Sequence, residues 1–375
     1  MYRGGNMIYA FIILIFIGVA LNKLSQKYIF EKLVFKRTLS KNVVEIDEDI
    51  EVSTILENKK ILPVSFLHVI EYYPSATKYK TSQNVTKNIE HIEHKTTMFL
   101  LPFQRKTRKL SVSFNKRGKY IFNNVWLAGG DLLGKDTYSR QLYYQNDITV
   151  LPRSLPLEEA MVPYGDFMGD VSVRRWIMED PVINIGIREY TGFEPQRHIH
   201  WPSSLKYNKI MVKQYDHTTD YKVMLIVNIE CSKPFWSNID ASKIETCLSL
   251  TRGIMDELES KGIPYGFTSN CIKVGSNKSI TIPYGCGTSH YYNIVKILGE
   301  SDYAITTQFE EILHGILNSN HLSTTYVIIT PSLLDSYVNL INKLGEKCGK
   351  VFLYSLKDYN LDKLNNIISY TEKER

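Results

Sequence analysis

Residues 186–216 read GIREYTGFEPQRHIHWPSSLKYNKIMVKQYD, and this stretch divides the chain into two kinds of pattern. Arg188, Glu189, Tyr190, Arg197, His198, His200 and Trp201 fall within fourteen residues. The run from Ile210 to Tyr215 then alternates apolar and polar, as a half-buried strand does. Before the stretch, short alternating runs at 43–46, 50–56, 65–70 and 109–114 are broken by Asn, Pro, Gly and Lys. They predict an antiparallel β-sandwich over 33–152, with a turn at 115–119 and a last strand at 148–151. After the stretch the period changes. The apolar run 223–227 predicts a strand buried on both faces. Ser242 and Glu245 form a capping box for a helix that carries Ile244, Leu248, Thr251, Met255 and Leu258 and stops at Gly262. Strands are expected at 265–268, 326–329 and 350–354, with helices near Thr288 and Thr306 and after Ser332 and Leu361. Such alternation predicts an α/β domain with a mostly parallel sheet over 210–375. Residues 153–209, rich in Pro and Gly, form the junction.

The bulk numbers agree with two domains of roughly 150 residues in a chain of 375. With 43% hydrophobic and 22% charged residues the composition is globular rather than disordered. A net charge of +6 permits an anionic partner without demanding one. The five cysteines are scattered and never form C-x-x-C, which argues for reduced thiols rather than a disulfide framework or a zinc site.

Residues 4–22 carry no charge, and 7–22 are expected to form a single transmembrane helix. At about 1.5 Å per residue this segment matches a hydrocarbon core of roughly 30 Å. A signal peptide cut after Gly18-Val19-Ala20 is the alternative, but its N-terminal region has only Arg3. Lys23, Lys27, Lys32, Lys36 and Arg37 follow the segment. Five cations against one place the C-terminal domains in the cytoplasm of a single-pass membrane protein.

Three motifs invite chemistry. Residues 129–136, GGDLLGKD, resemble a phosphate-binding loop, but Asp136 stands where a magnesium-binding hydroxyl belongs. A glycine-rich turn between strands is the better reading. Arg105, Lys106, Arg108, Lys109, Lys116, Arg117 and Lys119 crowd one hairpin and read as a solvated edge that deters strand pairing. The alternative is a basic module for anionic lipid; nucleic acid is not expected as a partner. His198, His200 and Ser204 raise a metal-dependent or hydrolytic enzyme as a further alternative. No G-x-S-x-G elbow accompanies them, so no catalytic residue and no cofactor is assigned. Salt links from Arg188 and Arg197 and burial of Tyr190 and Trp201 are the structural expectation.

The same stretch resembles the hallmark of the bacterial and archaeal family called domain of unknown function 58, roughly G-x-R-x-Y-x-x-G-D-x-x-R-x-I-x-W-x-x-S-A before a strand ending V-K-x-F/Y-E. Gly186, Arg188, Tyr190, Arg197, Ile199, Trp201 and Ser204 match, followed by Val212, Lys213 and Tyr215. Phe193, Glu194, Leu205 and Asp216 depart from it. Lys116-Arg117-Gly118-Lys119-Tyr120, the turn at 130–134 and Val150-Leu151-Pro152 resemble further family elements. The resemblance implies an α+β multidomain protein: an N-terminal transmembrane helix, an antiparallel β-sandwich and a von Willebrand factor A-like α/β domain. It implies a non-enzymatic scaffold or adaptor partnered with a MoxR-type AAA+ ATPase in envelope-protein assembly or maturation. Von Willebrand factor A domains hold magnesium with carboxylates and hydroxyls. The matching positions, Asn228, Glu230, Ser232 and Thr288, with Thr330-Pro331, read as a degraded cation site, so no metal is expected. Arg188, Arg197 and Trp201 are expected to be buried at the domain junction.

Overall fold

The structure is a computed structural model. It describes residues 3–80, 85–89, 91–130, 137–163, 184–191, 199–215, 222–234, 237–276, 279–319, 324–348, 350–365 and 367–373. The chain divides into two compact units, Met1–Leu151 and Pro152–Arg375.

The first unit opens with helix α1 (Arg3–Lys27). Its strands are β1 (Leu33–Leu39), β2 (Val43–Val44), β3 (Ile50–Asn58), β4 (Val64–Pro74), β5 (Thr77–Tyr79), β6 (Val85–Lys87), β7 (His91–Leu100), β8 (Arg105–Phe114), β9 (Gly118–Gly130) and β10 (Thr137–Val150). They form a four-stranded sheet, β1-β3-β8-β5, and a six-stranded sheet, β2-β10-β9-β4-β7-β6. The pairs are antiparallel except β2 with β10. Alternation in β3 and β4 puts every second side chain into the interior, as the sequence pattern requires.

That interior is two apolar clusters, one around Val52, Tyr73, Val112 and Phe122 and one around Leu56, Val69, Leu100 and Leu127. A polar layer is built from the same strands. Arg37 of β1, 1% exposed, reaches Glu71 of β4, with Nη1 3.7 Å from Oε1. Thr54 donates to Glu71 Oε1 at 3.0 Å, and Arg108 Nη1 lies 3.6 Å from Oε2. The register shift in β10 between Tyr143 and Asn146 frees the Tyr144 carbonyl and the Asn146 side chain to accept from Arg37, at 3.2 and 3.1 Å. Arg37 is therefore an interior residue, and only Lys23, Lys27, Lys32 and Lys36 of the five cations that follow residues 4–22 are exposed. Strand alternation breaks up the basic hairpin in the same way. Arg108 turns inward to His94, Arg117 is buried, and Lys109 pairs with Glu51 at 2.9 Å. Gly129 and Gly130 pair with Tyr138 and Thr137, so a β-hairpin flanks the phosphate-loop look-alike, whose residues 131–136 lie outside the described ones.

The second unit comprises α2 (Leu157–Ala160), β11 (Met161–Pro163), β12 (Asn184–Glu189), α3 (Trp201–Tyr207), β13 (Met211–Tyr215), β14 (Lys222–Val227), α4 (Ala241–Ser260), β15 (Tyr265–Ser269), β16 (Cys271–Lys273), β17 (Ile280–Gly285), α5 (Thr288–Glu300), β18 (Ser301–Ile305), α6 (Phe309–Asn318), β19 (Thr324–Thr330), α7 (Asp335–Cys348), β20 (Val351–Ser355) and β21 (Ile368–Glu372). Its main sheet runs β11-β21-β20-β19-β14-β15-β17, parallel from β21 to β15 and antiparallel at both edges. All residues of β19 and β20 are buried, so helices cover both faces. On one face α6 and α7 pack on Ile226, Ile328 and Leu353. The helix α4 contacts β14 and β19 without joining that cluster. At the start of the junction expected at 153–209, residues 157–163 form α2 and β11, and β11 pairs with β21 of the main sheet.

Two local expectations shift. Asp240, not Ser242, caps α4 and accepts from Lys243 N at 3.2 Å. The helix expected after Leu361 is one 3-10 turn, Leu361–Lys363, before β21.

Candidate functional site

In this doubly wound sheet β14, the first of the parallel strands along the chain, lies in the interior between β15 and β19. Loops after the carboxyl ends of such central strands diverge and leave a crevice, the usual place for a site. The segment after β14 enters that crevice. Asn228 and Glu230 are fully buried there. Asn228 Oδ1 accepts from Asn270 Nδ2 at 2.8 Å and from Glu230 N at 3.0 Å, while its own amide donates to Thr330 Oγ1 at 3.0 Å. Glu230 Oε1 accepts from Phe309 N at 2.7 Å and Asn270 Nδ2 at 3.3 Å. Its Oε2 accepts from the Tyr337 hydroxyl and from Lys233 Nζ, the latter at 2.9 Å.

Lys233 also donates to Glu310 Oε2 at 2.8 Å. Burial works against its ammonium, but the bonds to Glu310 and Glu230 outweigh that and raise its pKa. Burial likewise opposes ionisation of Glu310, yet donors from Lys233 and Ser336 hold its carboxyl below the ordinary range. Burial first, then the bond to Glu230, pushes the Tyr337 hydroxyl upward.

These residues do not fit the divalent cation that the sequence resemblance brings to mind. A hard cation needs oxygens with lone pairs turned toward it. Both oxygens of Glu230 already accept from two donors each, and a tethered ammonium stands between the two carboxylates. Ser232 is engaged with Ser237 at 3.0 Å. Thr288 is at the other end of the sheet: β17 runs antiparallel to β15 and pairs Gly285 with Tyr265, carrying Thr288 away from Ser269 and Asn270. Four members of this centre, Lys233, Asn270, Glu310 and Tyr337, were missed from sequence. Lys233 is three residues from Glu230, and its charge was the one available signal.

The hallmark stretch makes a separate module of β12, β13 and α3. β12 and β13 pair antiparallel, and Ile199 bridges to Val212. His200 caps α3, its Nδ1 accepting from Ser203 N at 3.3 Å and lying 2.7 Å from Ser203 Oγ. Ser204 donates to the His200 carbonyl at 3.0 Å and accepts from Met211 N at 2.8 Å, stitching helix to strand. These are structural duties for both residues. Gly186 sits at the register shift of the pair, with open space where a Cβ would go. Tyr190 N donates to the Ile210 carbonyl at 2.9 Å. Arg197 and His198 lie outside the described residues. The expected burial fails for the other two: Arg188 is exposed, and Trp201 is 64% exposed beside Leu205 at 82%. Tyr207 and Ile210 of the same module are exposed as well.

A cavity of about 430 Å³ in the same unit is lined by Thr268, Thr281, Tyr284, Ile312, Ile316 and Tyr326, among others, and holds none of the residues picked from sequence. Among the described residues no helix is long and apolar enough to cross a membrane. Within α1 the described side chains are Tyr9, residues 11–20, Lys23, Leu24 and Lys27, while its backbone is one helix throughout. Phe11, Leu14 and Phe16 are each at least 70% exposed.

No protein-family model and no curated protein matches the sequence. Among solved structures, the cohesin module of a Clostridium perfringens family 33 glycoside hydrolase is 10% identical, covering 31% of this chain and 96% of its own, with a TM-score of 0.23. A CARDB domain from Pyrococcus furiosus, solved with di-metal ions, is 15% identical over 32% of this chain and 96% of its own, at 0.20. A β-glucosidase from Listeria innocua is 12% identical over 30% of this chain and 16% of its own, at 0.19.

Proposed function

We propose that this protein is a membrane-anchored, non-enzymatic scaffold or adaptor of the domain of unknown function 58 type, with a von Willebrand factor A-like second unit. In this reading it works with a MoxR-type AAA+ ATPase in envelope-protein assembly or maturation. Residues 7–22 anchor it in the cell membrane, and exposed Lys23, Lys27, Lys32 and Lys36 against Arg3 favour cytoplasmic units. The observation that carries the proposal is the apolar surface of the hallmark module. Trp201 and Leu205 stand in solvent, whereas the groups that could do chemistry, Ser204, His200 and Glu230, are committed to internal hydrogen bonds. Exposed aromatic and aliphatic anchors are the usual centre of a protein interface.

The test is co-purification of the full chain with a co-expressed MoxR-type AAA+ ATPase. The wild type should retain the ATPase, and Trp201→Ala with Leu205→Ser should lose at least tenfold of it while melting at the same temperature. Equal capture by the variant, or none by the wild type, sinks the proposal.

A further inference from the structure

We propose that the sandwich end formed by the β3–β4 and β7–β8 connections is a lipid-contacting surface, in which Phe103 dips into the headgroup region beside the anchor. This rests on the reading of α1 as a membrane anchor and extends it to the sandwich.

The turn Leu101-Pro102-Phe103-Gln104 is closed by Gln104 N donating to the Leu101 carbonyl at 3.2 Å. Proline at the second position and a positive φ at the third are the marks of a type II turn, where glycine or asparagine is expected. Phenylalanine stands there instead, at φ +56°. A bulky residue in the left-handed region is an outlier that needs a reason. Packing does not supply one, because Phe103 is 68% exposed. Ile61, Phe99 and Leu101 are also more than half exposed, and the Lys106 ammonium lies 3.9 Å from the centre of the Phe99 ring. Aromatic and aliphatic side chains rimmed by lysine suit a membrane interface with anionic headgroups.

The place of the patch supports that occupant over a protein. Phe103 N donates to the Lys60 carbonyl at 3.3 Å. The Lys60 ammonium, nearly buried, donates to the carbonyls of Ile29 and Glu31 at 2.9 and 3.2 Å. Lys59 N donates to the Lys32 carbonyl at 2.9 Å. Backbone just past α1 is thus bolted to the loops that carry the exposed side chains. An anchor leaving the bilayer at Lys27 holds the patch at the membrane surface within a few residues of chain.

The test reconstitutes the full chain in phosphatidylglycerol-containing vesicles with a diazirine-bearing phospholipid and maps adducts by mass spectrometry. Adducts are expected both in α1 and in residues 99–103. In Phe103→Gly the turn adducts should fall at least fivefold, α1 adducts should persist, and the melting temperature should hold or rise, since glycine suits the φ. Adducts confined to α1 overturn this inference and leave the anchor standing. Adducts in neither overturn both. Turn adducts that persist in Phe103→Gly, or a variant that melts several degrees lower, overturn the role given to Phe103.

Discussion

Lys233 Nζ stands 2.9 Å from Glu230 Oε2, so the carboxyl end of the parallel sheet carries its own cation. Replacing it, as in Lys233→Met, leaves Glu230 and Glu310 facing each other uncompensated. Breaking a buried pair costs about 3–5 kcal/mol, and partial exposure of Lys233 places the expected loss at or below about 3 kcal/mol. Chemical denaturation measures it. The wild type should melt at one temperature in EDTA and in magnesium; a chelator-sensitive wild type contradicts the self-contained centre.

Arg37 and Glu71 span the sandwich with no exposed side-chain surface on either partner. Arg37→Met should cost about 3 kcal/mol, the low end for a broken buried pair, because Arg108 remains near Glu71. A midpoint unchanged in urea would mean that Arg37 is solvated.

His94 links the first unit's stability to pH. Burial first, then the Arg108 charge, lowers its pKa from 6.5 to about 4. Arginine only donates, so the 2.9 Å contact with Arg108 requires a neutral, accepting imidazole. The unfolded chain takes up this proton near pH 6.5 and the folded one only near 4. Stability is therefore present in full above pH 6.5 and drains as pH falls toward 4. Urea midpoints over that window should decline, and less steeply in His94→Gln.

Gly253 lies inside α4, where alanine ordinarily stabilises a helix by about 1 kcal/mol. Here a Cβ would sit 2.0 Å from the Leu155 carbonyl oxygen, which is backbone and cannot swing aside. Gly253→Ala should lose about 1–3 kcal/mol net, the range for overpacking. A rise in melting temperature would show that the Leu155 segment can move.

Among the five thiols Cys286 is exposed, while Cys247 and Cys271 are buried. Burial pushes the Cys247 thiol well up, which makes it a poorer nucleophile still. Alkylation of the native chain should modify Cys286 first and reach Cys247 and Cys271 only on unfolding. Mass mapping of early adducts decides this.

Much of the fold was legible wherever one face of an element meets one environment. The alternation of 50–56 and the helical spacing of Ile244, Leu248, Thr251, Met255 and Leu258 both held, since every second side chain of the strand and all five of the helix enter the core of their unit. The candidate centre was half legible. Asn228 and Glu230 could be picked from their place after an apolar strand. Thr288 could not be rejected, because the reversal of β17 that removes it depends on pairing between distant segments. Asn270, Phe309 and Tyr337 reach Glu230 from 40 to 107 positions away, and no local pattern records that.

Hydrophobic period and turn residues along the chain were enough to mark many of the strands and helices of each unit, such as β3, β14, α4, β19 and β20, because those depend on neighbours within a few residues. Tertiary structure alone decided the fate of the charges. It took Arg37 from an apparent cationic flank into the sandwich interior, put Lys233 where a metal would need open oxygens, and left Trp201 in solvent where burial was expected. Whether a charge or a ring is buried depends on what other segments bring to it across the fold, and that is set by long-range pairing rather than by sequence period.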